Sequence, residues 1–252
     1  MNAVEKTIQI LNCLSDSDRS LGITEISSRI SIPKSTIHRI LNILMQYSLV
    51  SKDPKTSRYK LGIQVLRYSN SFYNSFDLRK YSKDILKKVS IDTGLTTFLC
   101  VWQDDKGVCI DSVSSSHKSD TLNLFVEVGK IMPFHCAAAS KTLLANQPLE
   151  EISRVINQIE LKRYTSKTIT DQQKLLKHLE EVRTKGFAIC DEELEEGIRA
   201  ISAPIKNING KTVASITVTG LVKKVPIEEG NPLIKMVISA GKEISRLIGY
   251  ES

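Results

Sequence analysis

Ser31–Val50 reads SIPKSTIHRILNILMQYSLV, and the architecture of the chain follows from how this stretch divides. Ile37, Ile40, Leu41 and Leu44 recur at spacings of three and four, the stripe of a helix buried along one side. Pro33 suits a first helical turn, because its φ is already helical and its missing N–H would have no partner there. The opposite face holds Lys34, Ser35, Thr36, His38, Arg39 and Asn42, which are rich in donors and include no acid. A helix that packs with one side and offers donors from its first turns has the chemistry to enter a DNA major groove. A solvated surface helix would show the same pattern, so the flanking sequence decides.

Upstream, Val4, Ile8, Leu11 and Leu14 predict a first helix over residues 4–14, followed by the polar loop SDSDRSLG. Thr24 precedes EISSRI, where its hydroxyl is expected to cap a short second helix and Glu25 to favour its first turn. Ser31-Ile32-Pro33 then breaks the chain, which completes a helix-turn-helix pattern. Downstream, Leu49, Val50, Tyr59 and Leu61 flank a turn at Asp53–Thr56, as in a short antiparallel hairpin. A basic hairpin after a helix-turn-helix is a wing, and Lys52, Lys55, Arg58 and Lys60 would reach phosphates or a minor groove. Charge points the same way. The chain carries +7 overall; residues 1–80 hold 12 Lys+Arg against 6 Asp+Glu, and residues 81–252 hold 23 against 22. A basic first third joined to a near-neutral remainder indicates a polyanion-binding head, with Thr24, Lys34, Ser35, Thr36, His38, Arg39, Asn42, Lys55 and Arg58 as candidate DNA contacts.

Apolar content of 41% and charged content of 25% are those of a soluble globular protein. No apolar run is long enough for a membrane span, and the polar, periodic N-terminus does not read as a secretory signal, so a cytoplasmic protein is expected. Cys13, Cys100, Cys109, Cys136 and Cys190 are dispersed, as for reduced thiols, and their spacing asks for no metal.

Residues 62–77 predict a linking helix and Leu78–Val89 another. Strands are expected at 96–102 and 108–113 around Asp104–Gly107, at LNLFVEV (122–128), and at FAIC, RAISAPI and TVASITVTG, the last two joined at Asn209-Gly210. Helices are expected in CAAASKTLLA, LEEISRVINQI, DQQKLLKHLEEVRTKG and Pro232–Ile248. Hairpins with helices before, between and after them make an α+β domain with one central antiparallel sheet.

Catalytic motifs are missing: there is no nucleophile elbow, phosphate-binding glycine loop or zincin motif. The acidic run DEELEEG (191–197) reads as solvated surface, and His135 beside Cys136 as a core or loop histidine. Thr217 and Thr219 lie two apart on a strand and share a face, either lining a polar pocket or serving as β-branched strand formers. An enzyme or thiol-based sensor using Cys190, Cys136 or Cys100 is the competing reading; a thiol of lowered pKa would mark it.

ITEISSRI, IPKSTIHRIL and KDPKTSRYKLG, with PFHCAAASKTLLA, GFAICDEELEEGIRAISAPI and VASITVTG, resemble the IclR-type bacterial transcriptional regulators over essentially the whole chain. The resemblance implies a winged helix-turn-helix domain (1–61), a linking helix (62–77) and a GAF-like effector-binding and oligomerisation domain (78–252). It also implies a non-enzymatic regulator without cofactor, a homodimer or dimer of dimers on palindromic double-stranded operator DNA, and repression of a catabolic operon. By position it carries the effector site onto Ala138, Ala139, Cys190, Ala200, Thr217 and Thr219. Cys190 and Ala200 stand where members that bind short keto acids carry an aspartate and a cysteine, so a different, less polar pocket is implied. The threonines still favour a small organic or sugar acid, a ligand with a carboxylate or hydroxyls.

Overall fold

The structure, a computed structural model, describes residues 2–74, 77–114, 126–228 and 230–250, the side chains of 70–74 and 77 excepted. The chain forms two compact units, 1–76 and 77–252.

The first unit contains α1 (Ala3–Ser15), α2 (Ile23–Ile30), α3 (Lys34–Gln46), β1 (Val50–Lys52), β2 (Tyr59–Leu61) and α4 (Gln64–Asn74). Helix α1 opens with a reciprocal cap: Glu5 N–H donates to Asn2 Oδ1 at 2.9 Å and Asn2 N–H to Glu5 Oε2 at 2.7 Å. Thr24 does not cap α2. The helix begins two residues earlier, at Ile23 with Gly22 as N-cap, and the Glu25 carboxylate takes the Gly22 N–H at 2.9 Å, satisfying the donor from inside the first turn. Ser31, left-handed at φ 54°, ends α2, and Pro33 stands just outside α3 as its N-cap. Ile10, Leu14, Ile26, Ile37, Leu41 and Leu44 form the core between the three helices, closed by Val50 and Tyr59 from the hairpin. Leu21 exchanges backbone hydrogen bonds with Tyr59 at 2.9 and 2.8 Å, an isolated antiparallel bridge that ties the chain before α2 to the wing.

The second unit contains α5 (Asp77–Thr93), β3 (Thr96–Gln103), β4 (Lys106–Val113), β5 (Ile131–Met132), α6 (Ala138–Ala145), α7 (Leu149–Gln158), α8 (Gln172–Lys185), β6 (Ala188–Asp191), β7 (Ile198–Lys206), β8 (Thr212–Leu221) and α9 (Pro232–Leu247). The strands form one sheet in the order β5-β4-β3-β8-β7-β6, antiparallel at every pairing. Asp104 and Asp105, at φ 47° and 57°, make the two-residue turn between β3 and β4, the left-handed pair that a tight hairpin requires. Helices α5 and α9 pack against the sheet, and Gly241 lets α9 approach: a Cβ there would lie 2.8 Å from the Pro204 carbonyl oxygen. Helix α6 also packs on the sheet, against β7 and β8, with α8 beside it.

The expected strand at 122–128 falls partly outside the described residues, and its described end, Val126–Val128, is not a strand. There the chain turns through Gly129 at φ 92°, and Ile131–Met132 pairs with β4 instead. Among the described residues, no helix is long and apolar enough to cross a membrane.

Gly62 sets how closely the end of the wing lies on the end of α3, because a Cβ there would meet the Ser48 carbonyl oxygen at 2.2 Å. Gly62→Ala should destabilise the first unit by about 1–3 kcal/mol through overpacking. Urea unfolding followed by circular dichroism would measure this, and an unchanged midpoint would place the close approach in error.

Candidate nucleic-acid interface and effector cavity

The first unit turns one face of α3 outward. Ile37, Ile40, Leu41 and Leu44 are buried, while Lys34, Ser35, His38, Arg39 and Asn42 are exposed and Thr36 is half-buried. Asn42 Nδ2 lies 3.4 Å from His38 Nδ1, one helical turn apart. The wing turn is built by Asp53, whose carboxylate accepts the N–H groups of Lys55 at 2.8 Å and Thr56 at 3.1 Å. Those backbone donors hold the Asp53 carboxyl below the ordinary carboxylate range and leave Lys55 exposed at the tip. Arg58 is occupied within the fold, because its Nη1 donates to the Ser20 carbonyl at 2.8 Å and sits 3.0 Å from Glu25 Oε2. It braces the wing against the start of α2. Thr24, His38, Lys52 and Arg58 nevertheless border one cleft of about 520 Å³ between α2, α3 and the wing.

In the second unit, all eight residues of α6 are buried. Such a helix needs small residues and satisfied hydroxyls, and Ala137-Ala138-Ala139-Ser140 supplies both. Ser140 Oγ donates to the Met132 carbonyl at 2.7 Å, and a Cβ on Gly107 would lie 2.1 Å from that oxygen. Ser215 Oγ on β8 donates to the Ala139 carbonyl at 3.2 Å, and Thr142 Oγ1 to the Ser202 carbonyl at 3.3 Å. Ala137 is the N-cap and offers no side-chain acceptor, so the first-turn N–H groups of α6 are uncapped by any side chain.

Beside that uncapped end lies a cavity of about 50 Å³. It brings together Ala138, Ala139, Cys190, Ala200 and Thr219, five of the six positions carried over from the resemblance. Register explains the grouping: Cys190 pairs with Ala200, and Ala200 with Thr219, across β6, β7 and β8. Thr217 is buried on the same face but does not line the cavity, since its hydroxyl donates to Ser202 Oγ on the neighbouring strand at 2.9 Å. The Thr219 hydroxyl donates to the Arg199 carbonyl at 3.0 Å, which leaves its lone pairs for a ligand. Phe98, Val126, Met132 and Ile198 make most of the remaining wall apolar, and Leu194 and Glu195 close it from the acidic loop.

The first half of the acidic run is not solvated surface, although Glu196 is exposed. Glu193, 7% exposed, pairs with the fully buried Lys141 of α6 at 2.6 Å, and its second oxygen, Oε2, is buried without a partner. Asp191 pairs with Arg199 and with Lys167, and Glu192 with Lys167 at 2.6 Å. Thr165 Oγ1 donates to the Glu192 carbonyl at 2.7 Å and Thr168 Oγ1 to the Glu193 carbonyl at 2.6 Å. Nothing in the local sequence signals this wiring, because the partners lie on α6, on β7 and in the loop before α8.

The thiols are placed as core. Burial pushes Cys136 up to about 12, with Cys190 and Glu193 adding to the effect. Burial likewise raises Cys100 and Cys190. His135 does not activate Cys136: its Nε2 donates to the Lys162 carbonyl at 2.8 Å. Among the described residues no cluster of three or more His, Cys, Asp or Glu could hold a metal ion.

The two units have counterparts among known proteins. A family model described as the bacterial transcriptional regulator IclR C-terminal domain matches residues 71–246, and the IclR helix-turn-helix domain matches residues 3–54. The HTH-type transcriptional regulator XynR of Escherichia coli is 26% identical over 250 residues, covering 99% of this chain and 98% of that one. An IclR transcriptional regulator from Alicyclobacillus acidocaldarius superposes with a TM-score of 0.82 at 28% identity, covering 98% of this chain and 97% of that one. An IclR homologue from Microbacterium hydrocarbonoxydans, solved in complex with 4-hydroxybenzoate, has the same fold at 18% identity, with a TM-score of 0.82 over 97% and 98% of the two chains. The basic reading helix and wing of the first unit, and the sheet and buried helix of the second, thus belong together: the chain is a member of the IclR family of DNA-binding bacterial transcriptional regulators.

Proposed function

We propose that this protein is an effector-controlled repressor of a catabolic operon, acting in the cytoplasm as a homodimer or dimer of dimers on palindromic operator DNA. Residues 1–61 form the reading head, 62–77 the link, and 78–252 the effector domain. Arg39, His38 and Asn42 reach base edges, while Lys34, Ser35, Thr36, Thr24 and Lys55 hold phosphates. Arg58 contributes by fixing the wing, in keeping with its bonds to Ser20 and Glu25.

The effector is a small organic or sugar acid. One observation supports this: the uncapped first turn of α6 borders a cavity whose wall is apolar apart from Thr219 and Glu195. Backbone N–H groups at a helix start, aided by the helix dipole, favour an anion. A carboxylate there would supply the acceptors that Ala137 lacks, with the rest of the ligand against Phe98, Met132 and Ala200 and an oxygen within reach of Thr219. The relative bound to 4-hydroxybenzoate, itself an acid, supports that class. Binding would bias two quaternary arrangements that space the DNA-reading heads differently.

Arg39→Ala should weaken operator binding by about 1–3 kcal/mol while leaving the melting temperature unchanged. Fluorescence anisotropy across a salt series checks it, since wild-type affinity must fall steeply with salt if phosphates are neutralised. An affinity indifferent to salt would defeat the DNA reading. Ala200→Leu should fill the cavity and abolish the thermal shift produced by whichever organic acid stabilises the wild type most, with operator affinity retained. A full shift in that variant would move the effector elsewhere. For the thiol-based alternative, the raised Cys100, Cys136 and Cys190 predict slow native-state reaction with a disulfide reagent at pH 7.5. One rapidly labelled cysteine among them would revive that reading.

A further inference from the structure

A second concavity, of about 510 Å³, opens in the 77–252 unit where the ends of α8 and β7 meet the last turns of α9. It shares no lining residue with the cavity beside α6. Its charged lining is Lys185, Lys206, Lys242 and Arg246, and no carboxylate lines it among the described residues. That composition stands out because residues 81–252 are nearly balanced, 23 basic against 22 acidic.

The cations are positioned rather than scattered. Lys242 and Arg246 are four apart on α9 and share a face. Lys206 sits at the end of β7, where its N–H donates to Ser245 Oγ at 2.9 Å. Its Nζ lies 5.6 Å from the centroid of the Tyr250 ring. That tyrosine is tied by its N–H to the Ser245 carbonyl at 2.9 Å. Lys185 has a loose contact with Glu181 at 4.0 Å, while no ion pair among the described residues involves Lys206, Lys242 or Arg246. Lys185 and Arg246 lie in the last turns of α8 and α9, where cations complement the helix dipole. Lys206 has the face of the Tyr250 ring but no counter-charge, Lys242 has no ion pair among the described residues, and like charges gathered without a counter-charge oppose folding.

We propose that this cleft binds a compact polyanion, a phosphorylated metabolite carrying at least two negative charges. The guanidinium of Arg246 would grip a phosphoryl group through two parallel N–H bonds, and the lysines would act as point charges around it. Pro204, Ile238 and Tyr250 also line the cleft and offer apolar surface to the uncharged part of the molecule. A single carboxylate would leave most of this charge unanswered. A concave site with apolar lining also suits a small molecule better than a duplex backbone, which favours an open basic face. The protein would then read two chemically different signals, an organic acid beside α6 and a phosphate ester here.

Inorganic pyrophosphate is the probe. It is titrated calorimetrically into the full chain at constant ionic strength without divalent cations. Two double variants accompany the wild type: Lys242→Gln with Arg246→Gln in the cleft, and Lys174→Gln with Lys177→Gln on the exposed side of α8 as a charge-matched control. All these residues are exposed, and melting temperatures report whether each variant folds. Saturable one-to-one binding should weaken about ten-fold or more in the cleft variant, as charge-assisted hydrogen bonds are lost, and change less than about two-fold in the control. Equal weakening in both variants would show a diffuse charge effect and overturn the site, as would the lack of saturable binding to wild type. Displacement of the probe by a short non-operator duplex, with the cleft variant losing duplex affinity, would reassign the surface to DNA.

Discussion

The ion pair between Lys141 and Glu193 is the contact on which the cavity of the second unit depends. Taking both charges out of water costs several kcal/mol apiece, recovered only if the pair forms with good geometry. At 2.6 Å, with Lys141 fully buried, it does form. Its value lies in what it joins: α6, whose first turn borders the cavity, and the 191–197 loop, whose Leu194 and Glu195 close it. Loss of either partner would leave an uncompensated buried charge, and the cavity would lose the registration of two of its walls. The hydroxyls of Thr165 and Thr168 on the loop carbonyls, and of Ser215 on the Ala139 carbonyl, hold the same two walls from outside.

The first unit solves a different problem. It must present positive charge without an acidic partner on the reading face, yet hold a two-stranded wing that is marginal by itself. Two of its acids, the half-buried Glu25 and the exposed Asp53, are tied up in bonds within the fold. Glu25 caps α2 and pairs with Arg19 and Arg58, and Asp53 organises the turn of the wing. Lys34, Arg39 and Lys55 carry no ion pair among the described residues, and so remain available to phosphates and base edges.

What can be read in the sequence is local. The three-and-four spacing of Ile37, Ile40, Leu41 and Leu44 locates α3, and Asp104-Asp105 and Asn209-Gly210 locate two hairpins, because periodicity and turn chemistry act within a few residues. The GAF-like fold of the second unit and five of the cavity's lining positions come from resemblance, while nothing in the local sequence singles out Phe98, Val126, Met132 or Leu194; the strand register that joins Cys190, Ala200 and Thr219 is invisible to any short window. Where expectation and structure differ, a partner outside the local pattern decides. Glu193 reads as solvated because its lysine lies 52 positions away. Thr217 shares the face of Thr219, as alternation requires, but Ser202 on the next strand takes its hydroxyl. Thr24 is displaced as a cap by a carboxylate one residue further on.

An acid bound beside α6 and DNA bound by α3 are expected to oppose or assist one another through one protein. Binding linkage makes this testable without knowing the sign of regulation, since each ligand must alter the affinity of the other by the same factor. The measurement is a calorimetric titration of the most stabilising organic acid into free protein and into the protein–operator complex, set beside operator affinity with and without saturating acid. Coupling between the two sites predicts two matching, non-unit ratios. Identical acid affinity in the two titrations, with operator affinity indifferent to the acid, would contradict it.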